Sequence, residues 1–105
     1  MNPPISTAQP ISVLYAEDSA DDFELTRLSF ERARLAIRLE HVVDGEECLA
    51  YLRKQQKYAA KPRPDLLLLD INMPRKNGFE VLKEISADPE LCSLPVVVLT
   101  TSNSD

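Results

Sequence analysis

Three apolar stretches of this 105-residue chain each end on side chains able to bind a cation or a phosphoryl group. Ile11-Ser12-Val13-Leu14-Tyr15-Ala16 runs into Glu17-Asp18, Leu66-Leu67-Leu68-Leu69 into Asp70, and Pro95-Val96-Val97-Val98-Leu99 into Thr100. An ionised carboxylate directly after a buried strand needs partners, because an unpaired buried charge is very costly. Parallel strands bring their carboxyl ends to one edge of a sheet, which is also where ligands bind in open α/β folds. Glu17, Asp18 and Asp70 would then crowd together with no base near them in sequence, since Arg75 and Lys76 lie five or more residues past Asp70. Like charges that close force one group to keep its proton unless a cation sits among them. Mg²⁺ is the natural cation, since it accepts a few carboxylates and a carbonyl and keeps several waters. A carboxylate held beside Mg²⁺ can attack phosphorus to give an aspartyl phosphate, and a hydroxyl such as that of Thr100 can bind a phosphoryl oxygen.

Such a cluster exists only if the elements around it form a parallel sheet. Four consecutive leucines cannot make an amphipathic strand, so Leu66–Leu69 reads as a strand covered on both faces. Ser19 or Asp21 can cap a helix after the first strand, with Asp21, Asp22 and Glu24 at its positive end. Glu24, Arg27, Glu31 and Arg34 form its solvent stripe, with Leu25, Leu28, Ser29 and Ala33 opposite and Phe23 and Phe30 flanking. Ile37–Val43 alternates at first, as an edge strand does. Asp44-Gly45 signals a turn, followed by a helix over residues 46–55 with Cys48, Leu49 and Leu52 on one side. Residues 56–64 form a basic, Pro-punctuated link. Asn77-Gly78 marks a tight turn before a helix over residues 79–87, which Asp88-Pro89 ends. Strand and helix alternate four times without the last helix, which implies a parallel sheet with right-handed crossovers.

Composition narrows the function. The net charge of −5 argues against nucleic acid as a direct partner. No apolar run approaches the roughly 20 residues a membrane helix needs. Residues 1–10 have neither the basic nor the apolar region of a signal peptide and read as a mobile tail, so a cytoplasmic home is expected. Cys48 and Cys92 form no metal-binding pair and read as reduced, mostly buried thiols. His41, the one histidine, reads as a structural or solvent-facing residue.

The stretches Val13–Asp18, Asp65–Pro74 with Asn77-Gly78, and Pro95–Ser102 resemble the receiver domains of two-component response regulators. The spacing of 30 residues from Asp70 to Thr100 matches that family as well. Val42-Val43-Asp44-Gly45-Glu46-Glu47 and the basic link look most like small single-domain regulators that partner phytochrome-type histidine kinases. The resemblance implies a flavodoxin-like, doubly wound parallel sheet of strand order 2-1-3-4-5. It implies Asp70 as phosphoacceptor, Asp18 and Asp70 as direct Mg²⁺ ligands, Glu17 acting through water, and the Asn72 backbone carbonyl as a further ligand. Thr100 would follow the phosphoryl group and switch the nearby loop. The phosphodonor would be a sensor histidine kinase or a histidine phosphotransfer domain, and the protein would be a signalling domain that assists its own phosphorylation and dephosphorylation rather than an enzyme.

The family also carries a lysine on a fifth strand, followed by a fifth helix. Neither that strand nor the last two helices can be written from this sequence, so residues 11–105 read as a receiver domain incomplete at its C-terminus. If the molecule ends at Asp105, the fourth strand becomes an edge, and a homo-oligomer formed through it, a partner that supplies the missing edge or a poorly folded monomer is expected. Two competing readings remain at this stage. A haloacid-dehalogenase-like phosphatase also uses an Asp after an apolar strand, but wants a second acid where this chain has Asn72. A receiver-shaped adaptor that never takes phosphate is the other, and retention of Glu17, Asp18, Asp70 and Thr100 disfavours it.

Overall fold

The leucine run forms the strand on which the other elements assemble. In a computed structural model that describes residues 10–100, β1 (Ile11–Ala16), β2 (Ile37–Val42), β3 (Leu66–Asp70) and β4 (Val96–Leu99) make one four-stranded sheet of order β2-β1-β3-β4. Every pairing is parallel. Helices α1 (Ala20–Arg32), α2 (Gly45–Leu52) and α3 (Gly78–Ala87) are the crossovers. The expected order 2-1-3-4 holds across the described strands, which do not include a fifth. Residues 1–9 of the expected tail, and Thr101 and Ser102 of the third motif, lie outside the described residues.

Period-two alternation divides the sheet between two cores. Leu14, Ala16, Leu67 and Leu69 point to one face, where Cys48, Leu49 and Leu52 of α2 and Val81 and Ile85 of α3 cover them. Val13, Tyr15 and Leu68 point to the other face, covered by Phe23 and Phe30 of α1. Leu67 and Leu69 are fully buried and Leu68 nearly so, as a doubly covered strand requires.

Helix α1 departs from its expected packing. The ion pairs of Arg27 with Glu24 and Glu31 confirm the solvent stripe. The opposite side is not the packing face, however: Leu25 is 63% exposed and no residue of α1 is fully buried. Phe23, Thr26, Arg27 and Phe30, spaced i, i+3, i+4 and i+7, form a half-buried line; of the expected inward side only Leu28 is half-buried, while Leu25, Ser29 and Ala33 are exposed. The two phenylalanines are large enough to span the gap to the sheet, and Leu25 falls off that narrow line. Arg34 lies beyond the helix end, at φ 58°. Cys48 is buried as expected, but Cys92 is exposed; both thiols are free.

Both Gly-containing signals also mean something other than a tight turn. Asp44 is the N-cap of α2 and Asn77 the N-cap of α3, so Gly45 and Gly78 are the first helical residues. Neither has a positive φ. They are glycine because of close approach: a Cβ on Gly78 would lie 2.6 Å from the Asp70 carbonyl oxygen, and one on Gly45 would lie 2.0 Å from that of Lys76. Asn77 and Glu80 complete a reciprocal capping box at the start of α3. Together these contacts seat the β3–α3 loop directly against the end of β3.

Candidate functional site

The parallel register settles which strand ends meet. Ala16 pairs with Leu69 and Asp70 with Leu99, so Glu17-Asp18, Asp70 and Thr100 all fall at one edge. One carboxylate oxygen from each of Glu17, Asp18 and Asp70 lies within 4.8 Å of the others. Glu17 and Asp70 are fully buried, and Asp18 is exposed at the mouth. Thr100 follows the register partner of Asp70 and is exposed, and the Ile71 amide donates to the Leu99 carbonyl at 3.2 Å. Asn72 is exposed in the loop beyond.

Local sequence explains how each acid is presented. The Glu17 amide donates to the Val42 carbonyl at 2.9 Å, which extends the strand pairing one residue beyond β1. Its carboxylate accepts from the Ser19 amide at 3.1 Å and from the Tyr15 hydroxyl at 3.3 Å. Ser19, the observed N-cap, accepts from the Asp22 amide and starts α1 immediately after the acidic pair. The nearby cations serve other groups. Arg75 pairs with Asp44 at 3.2 Å, and Lys76 pairs with Glu84.

The electrostatics are those of crowded acids. Burial, and then the charge on Asp70, push the Glu17 carboxyl up to about 7 from an ordinary 4.5, against the opposing hydrogen bond from Ser19. Burial above all also raises Tyr15. Three carboxylates converging with oxygen donors alone suit a hard divalent ion, which would hold Glu17 ionised.

Two residues of this site carried no signal of their own in the sequence. Tyr15 stands two positions before Glu17, on the same side of an extended strand, so period two could have found it. His41 Nε2 lies 2.6 Å from the Glu17 carbonyl oxygen. Only the β1–β2 register, in which His41 is the partner of Tyr15, brings it there.

A parallel 2-1-3-4 sheet with an acidic cluster at its carboxyl edge is a doubly wound α/β fold with a candidate cation site where such folds bind ligands. Comparison with known proteins gives the family: the response regulator receiver domain matches residues 13–105, and the chain belongs to that family. Response regulator Rcp1 of Synechocystis sp. is 42% identical over 96 residues, covering 91% of this chain and 65% of that protein. Among solved structures, the phosphorylated cyanobacterial phytochrome response regulator RcpA superposes with a TM-score of 0.82 at 42% identity, over 90% of this chain and 68% of that one. The Mn²⁺-bound form of Rcp1 gives 0.83 at 42% identity, over 91% and 69%. This chain therefore spans just under two-thirds of the length of Rcp1. No helix among the described residues is long and apolar enough to cross a membrane.

Proposed function

We propose that the chain is the phosphoacceptor module of a two-component relay, taking a phosphoryl group onto Asp70. The observation that carries this is the convergence of Glu17, Asp18 and Asp70 within 4.8 Å at the carboxyl edge of a receiver fold. Asp18 and Asp70 would hold Mg²⁺ directly, Glu17 through a water, and the Asn72 carbonyl would add a further oxygen. The cation supplies neutralisation of charge on the phosphoryl group in transfer. An Asp70 carboxylate oxygen attacks the phosphorus of a phosphohistidine, the P–N bond breaks, and the imidazole leaves as a neutral ring after taking up a proton. The Thr100 hydroxyl then donates to a phosphoryl oxygen and draws the β4 end toward Asp70, which changes the surface a partner meets. The same carboxylate cluster assists the chain's own phosphorylation and hydrolysis.

The donor is read as a sensor histidine kinase or histidine phosphotransfer domain. The phytochrome type is favoured because Rcp1 and RcpA are among the most similar relatives, the latter a phytochrome response regulator by name. A cytoplasmic location belongs to the same reading, since the ATP that charges a histidine kinase is there. Direct contact with nucleic acid is not expected at a net charge of −5. Residues 11–105 act as the receiver unit, and self-association of this polypeptide through β4, the outermost described strand, belongs to the same reading.

Incubation with Mg²⁺ and a small acyl phosphate, followed by intact mass measurement, tests the central claim. One phosphoryl adduct, labile to base and absent from Asp70→Asn, is expected. A phosphate that persists on Ser or Thr in that variant would overturn it.

A further inference from the structure

Asp18 is the exposed member of the acidic cluster, so packing does not hold it. What holds it lies one residue earlier. Glu17 is anchored at four atoms: its amide on Val42, its two carboxylate oxygens under Tyr15 and Ser19, and its carbonyl oxygen against His41. A carbonyl oxygen only accepts, so the 2.6 Å contact, just below the usual N–H···O range, requires His41 Nε2 to carry the hydrogen. That carbonyl belongs to the planar peptide joining Glu17 to Asp18. Holding its oxygen therefore orients the whole peptide and the Cα of Asp18.

The imidazole is itself well held. It stacks on Phe23 of α1 at 4.1 Å between centroids and 9° between planes. Phe23 in turn packs against Tyr15 at 6.1 Å, and the Tyr15 hydroxyl returns to Glu17. His41, Phe23 and Tyr15 thus form an aromatic bracket spanning β2, α1 and β1, whose two polar ends both close on Glu17. A histidine with only a packing role would need the ring and not the directed Nε2–H.

We propose that His41 is a positioning residue of the divalent-cation site, orienting Asp18 through the Glu17 carbonyl. This rests on the reading of Glu17, Asp18 and Asp70 as a metal site, since it concerns an outer partner of those groups. Outer partners of metal ligands typically govern 10–100-fold in affinity. The low end applies here, because the hydrogen bond acts through the backbone of a neighbour.

The test compares wild type with His41→Phe, which keeps a flat ring on Phe23 but no donor, and His41→Gln, which keeps a donor at similar reach but no ring. Mn²⁺ binding is followed by loss of the free-ion electron paramagnetic resonance signal, with thermal unfolding of the metal-free proteins alongside. His41→Phe should bind Mn²⁺ about tenfold more weakly, and His41→Gln should recover most of that loss whatever its melting temperature. Equal binding by His41→Phe and wild type would overturn the proposal and leave the metal site standing. So would binding by His41→Gln as weak as that of His41→Phe. Failure of wild type to bind Mn²⁺ would overturn the metal site and this inference with it. Nitrogen NMR of metal-free wild type, about two pH units above the ordinary imidazole value, gives a readout that needs no variant to fold. The Nε2–H tautomer is expected, and the Nδ1–H tautomer would refute the clamp.

Discussion

Replacing Glu17 by Gln should make the metal-free protein more stable at alkaline pH, although it removes a group from the functional site. Holding a carboxyl at about 7 rather than 4.5 makes its ionised form about 3 kcal/mol less favourable in the fold than in the open chain, at ~1.36 kcal/mol per pH unit. The sign follows from linkage. Folded Glu17 keeps its proton to a higher pH than unfolded Glu17, so its contribution is fully present below 4.5 and is lost as pH rises through about 7. Gln fills the same buried space without charge. It has one acceptor oxygen for the Ser19 amide and the Tyr15 hydroxyl, where the carboxylate offers each its own, and one lost hydrogen bond costs about 1 kcal/mol. The net gain at pH 8 is then about 2 kcal/mol, on the order of 10 °C in melting temperature for a domain of this size. At pH 5, where wild type is largely protonated, the gain should disappear. Circular dichroism melts in a chelator at both pH values measure it. With saturating Mg²⁺ the order at pH 8 should reverse, because a ligand that binds only the folded state stabilises wild type by mass action. Glu17→Gln melting at or below wild type at pH 8 in chelator would refute the account of a strained, crowded acid.

Three further outcomes follow from the same geometry. Asp18→Asn removes a full charge from the cation's contacts and should weaken Mg²⁺ binding by at least the roughly 10–100-fold that loss of an outer partner costs; an unchanged calorimetric titration would count against the ligand assignment. Gly78→Ala drives a methyl to 2.6 Å from the Asp70 carbonyl oxygen, so denaturant titration should show a loss of about 1–3 kcal/mol, as for other overpacked sites. An unchanged midpoint would show that α3 can back away from β3. Val98 is 37% exposed on β4, the outermost described strand, and if the 105-residue polypeptide self-associates, Val98→Lys should return it to monomer mass in sedimentation, as edge lysines do. A mass that does not fall would place the association elsewhere.

Much of this molecule was legible in residue order alone. The uninterrupted leucines before Asp70 required a doubly covered strand and the strand–helix alternation a parallel sheet with right-handed crossovers, while the order 2-1-3-4 came from the resemblance to receiver domains. The acidic ends followed, because local pattern determines where a strand stops and which residue comes next. Properties that depend on what lies across the sheet were not legible. The Asn77-Gly78 and Asp44-Gly45 pairs read as turns, yet tertiary packing made each a cap followed by a glycine pressed against another backbone. Helix α1 offered two faces of comparable hydrophobicity, and the reach of Phe23 and Phe30 to Val13, Tyr15 and Leu68 decided between them, leaving Leu25 in solvent. His41 showed nothing in sequence beyond being the one histidine. Parallel pairing set it beside Tyr15 and turned its ring onto the Glu17 carbonyl, a contact between residues 24 positions apart. The raised Glu17 carboxyl arises in the same way, because burial and the charge of Asp70 act on it only once β1 and β3 lie side by side.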